Sequence, residues 1–382
     1  MRILHVVTLC GPTGEFGGPE QTALNQTAEL VRRGHQVRLV AGARSHRPVP
    51  PTIRGVPVLT APVHQVVPGA GFSGLLSPRL LGRLGPAVRG ADLVHVHLSR
   101  DLVATPFALG ALAVGTPLVV QCNGMVDPSS RMLARPFDAL ATRRVLTRAG
   151  AVLCLTDRER QDLEAVVGAG LDRVSQLPNG VPTDEVNPTR RDPRLVVFAA
   201  RLHARKRPEL FVQAAARLLR SMPDARFVII GPDEGRLAAV RADIRTLGVA
   251  HAVSYLGPLP HAEVMRWLAR AAVHVLPSVA EPYGMTILEA MSVGTPVVVM
   301  DCCALAQDVR DTGAGLVTDA DPDHIGAAVG RLLADDESRA TAGERGRQAA
   351  VERFGIGAVV DRLESIYHQV TGPARVGSAP VG

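Results

Sequence analysis

Apolar runs of strand type alternate with helical stretches twice along this chain, and a segment crowded with Pro, Asn, Gly and charge separates the two series. The first series contains RILHVV, QVRLVAG, DLVHVH (92–97), PLVVQC (117–122) and AVLCLT (151–156). The second contains RLVVFAA (194–200), RFVIIG (226–231), AVSYLG, VHVLPS (273–278), PVVVM and GAGLVT. Near-continuous apolar strands with helices between them signify parallel sheets covered on both faces. The pattern therefore predicts an α/β chain of two Rossmann-like, doubly wound domains facing a cleft, residues 1–187 and 188–353. The stretch 176–194 reads as the linker, 45–68 as a Pro/Gly-rich irregular segment and 373–382 as a flexible tail.

Composition narrows the function classes. The chain has 382 residues, 46% of them hydrophobic and 20% charged, as in a soluble globular protein, and no tract long enough to span a bilayer. Its start, RILHVVT, lacks the features of a signal peptide. Five scattered cysteines give neither a disulfide framework nor zinc spacing, so a reducing cytoplasm fits best. The net charge of +6 would suit nucleic acid, an anionic membrane or a phosphate-rich ligand. Aromatics at 3% and the lack of a nucleic-acid motif weigh against the first.

Nine residues, EPYGMTILE (281–289), lie between two of the strands. Pro282 and Gly284 favour a tight turn before a helix. The N–H groups of Met285, Thr286 and Ile287 then fall in its first turn, unpaired, and form an anion site suited to a diphosphate. Glu289, one turn further in, can accept from vicinal ribose hydroxyls, and Glu281 can do the same for sugar hydroxyls. A solvated amphipathic helix is the plainer reading, which the Pro-aromatic-Gly turn and the strands on both sides disfavour. The run E-P-Y-G-x-x-x-x-E, followed by A-M-x-x-G-x-P-V-V, resembles the signature of retaining GT-B glycosyltransferases of family GT4.

The resemblance covers nearly the whole chain and implies roles residue by residue. AARLHARKR (199–207) is similar to the family pattern G-R-L-x-x-x-K-G at Arg201, Leu202 and Lys206, with Ala200 and Arg207 where the family has glycine. In the family this Arg and Lys clamp the donor diphosphate and stabilise charge on the leaving nucleotide. Lys206 is the single lysine of the chain, in a protein that uses arginine everywhere else. A solvated basic turn is the alternative, but a retained ammonium suggests a need for a compact charge. Gly17 and Gly18, in an FGG-like loop, carry over to the donor phosphates, although a merely flexible loop would read the same. The first loop is not G-x-G-x-x-G, and strand two ends without the ribose-binding acid of a dehydrogenase.

Asn123, in QCNGMVDP, stands where family members often have a histidine that contacts the reacting sugar. It can hydrogen-bond but cannot act as acid or base. His97 ends DLVHVH and is balanced between an acceptor-site group and a satisfied core histidine. PDEG (232–235) occupies the family's G-x-G loop. Pro258 and Leu259 lie where backbone groups read the nucleobase. Cys302 and Cys303 read as small buried packing, with reactive thiols a distant second. A last helix, about 354–372, is expected to cross back to the N-terminal, acceptor-binding domain.

The resemblance implies hexosyl transfer from a UDP- or GDP-linked sugar to an acceptor hydroxyl with retention, and the lack of a D-x-D motif in a matching context predicts no metal or other cofactor. The acceptor is a small metabolite, natural product or lipid-linked glycan. Alternatives are a nucleotide-sugar epimerase of the same fold, which needs no acceptor, and a non-catalytic nucleotide-sugar-binding module, motivated by Asn123. Interleaved arginine and leucine in 131–150 and 78–90 suits peripheral association with a membrane. It suits an ordinary amphipathic helix equally, and that reading is preferred.

Overall fold

The computed structural model describes residues 1–12, 17–44, 48–68, 71–183, 190–279 and 281–372. The tail after 372 and linker residues 184–189 lie outside them. Contacts partition the chain into two compact units. One comprises Met1–Pro12, Pro19–Pro178 and Val359–Gly382; the other comprises Thr13–Gly18 and Asn179–Ala358. The first boundary falls at Pro178 and not at 187, because Val181 already pairs with Gly355 of the second unit.

In the first unit the strands are β1 (Arg2–Leu9), β2 (Gln36–Ala43), β3 (Thr52–Ile53), β4 (Val56–Pro62), β5 (His64–Gln65), β6 (Leu75–Leu76), β7 (Leu93–His97), β8 (Leu118–Gln121), β9 (Ala151–Cys154) and β10 (Val174–Gln176). Eight of them form one sheet, ordered β10-β9-β8-β7-β1-β2-β4-β3. All its pairings are parallel except the β3–β4 hairpin. Strands β3 to β5 lie in the stretch 45–68, which reads as irregular in the sequence. Pro57 and Pro62 hide β4 from a sequence reading, yet it lies near the sheet edge, where proline is tolerated. The β3–β4 turn is Arg54-Gly55, both at positive φ, which is the backbone of a type I′ hairpin without its usual Asn-Gly.

The helices of this unit are α1 (Gly18–Arg32), α2 (Pro78–Arg89), α3 (Ala104–Val114), α4 (Ala134–Phe137), α5 (Arg143–Arg148) and α6 (Asp157–Val167). A π turn, Asp138–Thr142, joins α4 to α5. Asp101 holds the start of α3 by accepting from the N–H groups of Val103 and Ala104 at 2.6 and 2.7 Å.

The second unit has strands β11 (Leu195–Ala199), β12 (Arg226–Ile230), β13 (Val253–Gly257), β14 (Val273–Leu276), β15 (Val297–Met300) and β16 (Gly315–Thr318). They form an all-parallel sheet ordered β13-β12-β11-β14-β15-β16. Its helices are α7 (Pro208–Leu218), α8 (Leu237–Thr246), α9 (His261–Arg270), α10 (Met285–Ser292), α11 (Ala306–Thr312), α12 (Pro322–Ala334) and α13 (Asp336–Phe354). Strands β11, β14 and β15 are buried throughout, as a sheet covered on both faces requires.

A final helix, α14 (Ile356–Thr371), belongs to the first unit from Val359 onward. Arg33 donates to Asp361 and Glu364 at 2.6 Å each, and His35 meets Glu364 at 2.7 Å. Tyr367 is fully buried beneath them.

Candidate functional site

In an open parallel sheet, ligands bind where the strand order reverses, beyond the carboxyl ends of the two strands that flank the reversal. In the second unit those strands are β11 and β14. The loop after β11 carries Arg201 and Lys206, and the loop after β14 carries Glu281 and Gly284. The two loops are tied together by the Val279 N–H donating to the Arg205 carbonyl at 2.8 Å. Gly231, at the end of β12, lets the β11 loop come this close. A Cβ at that position would stand 2.0 Å from the Ala200 carbonyl oxygen. Leu202 then pairs with Asp233 across the gap.

Lys206 and Glu281 form a direct ion pair, with side chains 16% and 7% exposed. Burial pushes the Glu281 carboxyl up, and the Lys206 ammonium more than reverses this, so its pKa falls below the ordinary carboxylate value. The ammonium has three donors, and Glu281 takes one. Arg201 donates to both oxygens of Glu234, at 2.8 and 2.9 Å, through a single nitrogen, Nη1. Among the described residues the rest of the guanidinium fork has no hydrogen-bond partner and can meet an anion. Gly17, at φ +92°, lies beside it, since a Cβ there would be 3.6 Å from Arg201 Nε. A Cβ on Gly18 would be equally near the Met285 side chain.

Gly284 caps α10 at φ +76°, and a Cβ there would press on the Ile287 side chain at 2.7 Å. Only glycine fits this turn without strain. One expectation needs correction: the Ile287 N–H donates to the Gly284 carbonyl at 2.9 Å, because the first turn tightens to an i→i−3 bond. The anion-facing set at this helix start is therefore smaller than three. Glu289, 4% exposed, receives His261 Nε2 at 2.9 Å. His261 opens α9 directly after Pro258, Leu259 and Pro260, so the loop expected to meet the nucleobase leads into the partner of Glu289. Of the vicinal thiols Cys303 is buried, with its pKa pushed up to about 12, while Cys302 is exposed. The expectation of two buried cysteines fails because adjacent residues of a turn point to opposite sides. Among the described residues no group of three His, Cys, Asp or Glu side chains could hold a metal ion.

In the first unit the order reverses between β1 and β7. Thr8, Ser99 and Asp101 close a buried hydrogen-bonded group there, Thr8 Oγ1 donating to Asp101 at 2.8 Å. His97, at the end of β7, is completely buried, and Asn123 is 8% exposed. Asn123 Nδ2 stands 3.0 Å from His97 Nδ1, at hydrogen-bond distance. Asn123 sits at φ +52° and Gly124 at +70°. Glu159 holds this turn by accepting from the N–H groups of Gly124 and Leu155. His97 is thus a core histidine by burial, paired with Asn123 at Nδ1 and without a hydrogen-bond partner for Nε2 among the described residues.

Residues 16–185 match the family described as Glycosyltransferase Family 4, and residues 183–349 match Glycosyl transferases group 1. A D-inositol 3-phosphate glycosyltransferase of Xylanimonas cellulosilytica is 31% identical over 97% of this chain and 96% of its own. The chain is a family 4 glycosyltransferase. Among solved structures, the Anabaena HepE complex with UDP and glucose superposes with a TM-score of 0.76 at 16% identity, covering 96% of this chain and 98% of that one. Sucrose-phosphate synthase from Thermosynechococcus elongatus gives 0.75 at 19% identity, covering 97% and 98%. These likenesses identify the GT-B fold.

In this glycosyltransferase the two positions where the family has glycine around the basic loop behave differently. Arg207 takes the left-handed conformation, φ +48° and ψ +52°, just before Pro208 starts α7. An L-residue is strained there, by roughly 1–2 kcal/mol, less the chain entropy that glycine costs. Arg207→Gly is therefore expected to raise unfolding stability by about 0.5–1 kcal/mol, read as the urea midpoint. A fall in stability would show instead that the arginine side chain carries a contact. His261 and Glu159 escaped the sequence reading, and Glu234 is marked there only as part of the PDEG loop, without its role as a partner of Arg201. Each is the long-range partner of a residue the motifs do mark.

Proposed function

We propose that this glycosyltransferase moves a hexosyl group from a nucleoside diphosphate sugar to an acceptor hydroxyl, with retention and without a metal. The observation that carries the reading is the Lys206–Glu281 pair at the reversal between β11 and β14, flanked by Arg201 and the start of α10. Cations at that point face charge that develops on a leaving diphosphate. The bond from C1 of the sugar to the phosphate oxygen breaks and a bond from C1 to the acceptor oxygen forms on the same face. The acceptor proton passes to a donor phosphate oxygen. Arg201, Lys206 and the N-terminal turn of α10 hold the phosphates, with Gly17, Gly18 and Gly284 admitting them. Glu281 orients sugar hydroxyls. Glu289, steadied by His261, takes the ribose, and the backbone at Pro258 and Leu259 meets the base. His97 and Asn123 serve the acceptor.

HepE was crystallised with UDP-glucose and with UDP, which puts UDP-glucose first among donors. The name of the 31% identical relative puts an inositol phosphate first among acceptors, ahead of natural products and lipid-linked glycans. No helix among the described residues is long and apolar enough to cross a membrane. A cytoplasmic enzyme that works free or at the inner membrane face fits the composition.

The test incubates UDP- and GDP-linked hexoses with and without inositol phosphate, with EDTA present, and follows nucleoside diphosphate release. Acceptor-dependent release and a product of unchanged anomeric configuration are expected. Donor conversion without any acceptor would establish an epimerase. Donor binding with no turnover on any acceptor would establish a binding module.

A further inference from the structure

We propose that the first unit carries a docking surface for an anionic phospholipid bilayer on the outer face of the helical run from Ala134 to Arg148. Within this run exposed residues recur in pairs every four positions: 135/136, 139/140, 143/144 and 147/148. The intervening residues Ala134, Asp138, Ala141, Thr142, Val145 and Leu146 are buried. A regular α-helix drifts out of register with a four-residue period. The π turn at Asp138–Thr142, wider than an α turn, counteracts the drift and keeps one face outward.

That face combines two kinds of side chain. On it Leu140 is 79% exposed, and in the turn that leads into the run Met132 is 88% exposed and Leu133 is also in solvent. Around them stand exposed arginines, among them Arg135, Arg144 and Arg148. The one acid between 131 and 150, Asp138, is turned inward and held by Arg100, whose Nε and Nη2 donate to it at 2.8 and 3.0 Å. The outer face therefore carries positive charge with no counter-charge of its own. Large aliphatic side chains projecting from a basic helix face suit the boundary between headgroups and acyl chains, where apolar atoms leave water and arginines meet lipid phosphates.

Other occupants fit less well. A second copy seated by two-fold symmetry would set this arginine face against itself. Single-stranded nucleic acid is gripped on aromatic platforms, and none of the exposed residues of this run is aromatic. The inference stands apart from the reading of the donor site, and failure of either leaves the other intact.

Co-sedimentation with vesicles tests it on the full chain. The wild-type protein is expected to pellet with mixed phosphatidylcholine/phosphatidylglycerol vesicles at low salt, to remain in solution with pure phosphatidylcholine, and to be released by high salt. Met132→Ser with Leu140→Ser should lower the partition coefficient at least about tenfold. Arg135→Gln, Arg144→Gln and Arg148→Gln together should lower it about a hundredfold. Circular dichroism melts of both variants should match wild type, because all five side chains are exposed. Wild-type protein that stays in solution with the anionic vesicles overturns the proposal, as do variants that bind like wild type. A wild-type dimer by light scattering that Leu140→Ser dissociates also overturns it, in favour of a second copy.

Discussion

Replacing Lys206 with alanine is expected to lower glycosyl transfer about 10²–10³-fold and to cost the fold about 3–5 kcal/mol. Two separate consequences meet in this one residue. The catalytic loss follows, on the proposed mechanism, from removing the cation that faces the departing diphosphate. The stability loss follows from Glu281, which is 7% exposed and would be left as a buried carboxylate without its counter-ion. Burial would then be opposed only by the smaller effects of Arg205 and Ser278, so the Glu281 pKa rises and the variant takes up a proton at higher pH than wild type. The two consequences separate in the double variant Lys206→Met/Glu281→Gln. A neutral pair of similar volume should recover most of the stability, since a buried ion pair adds little net energy over well-packed neutral groups. It should recover none of the transfer. A Lys206→Ala protein that melts with wild type would show that the pair is not buried. One that transfers normally would remove Lys206 from the chemistry.

Acidification from pH 7 to pH 5.5 is expected to destabilise the first unit by about 4 kcal/mol. His5, His95 and His97 are packed ring against ring inside it, with centroids 4.4 Å apart for His5–His95 and 4.9 Å for His95–His97. Tyr367 of α14 bridges His5 Nε2 at 3.0 Å and His95 Nδ1 at 2.6 Å. Burial lowers all three pKa values, that of His97 to about 3; repulsion from His97 adds to it for His5, and repulsion from His5 and His97 for His95. The unfolded chain takes up a proton on each imidazole below about pH 6.5, and the folded chain does not, so each histidine favours unfolding by about 1.4 kcal/mol per pH unit. The stability present above pH 6.5 is lost progressively as pH falls toward the folded values. His274 in the second unit, lowered to about 4 mainly by burial, acts in the same direction there. Asp101 and Glu159 are also buried, with raised pKa values, and pull the other way nearer the carboxylate range. Urea midpoints between pH 7.5 and 5.5 isolate the histidines. His97→Gln should reduce the pH dependence by about a third. A midpoint that does not move across this window would contradict the burial of the cluster.

Sequence reading located single positions well and their partners poorly. Lys206 stood out as the one lysine among arginines, and Glu281 stood out beside Pro282 and Gly284, but nothing in the local pattern joined residues 75 apart. The same holds for Arg201 with Glu234, and for Glu289 with His261. Side-chain pairing across loops depends on which strands are neighbours, and sequence order does not reveal that β11 lies beside β14. The strands themselves were legible because buried parallel strands are uninterrupted apolar runs. Val56–Pro62 was not, because its two prolines imitate a loop while its edge position tolerates them. The Arg54-Gly55 hairpin was hidden for a related reason: its conformation is set by the strands it connects, with arginine accepting a strained φ. His97 could not be assigned because two side chains one strand apart, His97 and Asn123, determine each other's role.

Isothermal titration of UDP and GDP into wild-type protein, Arg201→Ala and Lys206→Ala, in EDTA, tests the central claim most directly. Binding of one nucleotide by wild type, weakened at least about tenfold by each substitution, is the predicted result. Equal affinity in all three proteins would place the diphosphate away from the reversal between β11 and β14 and contradict the claim.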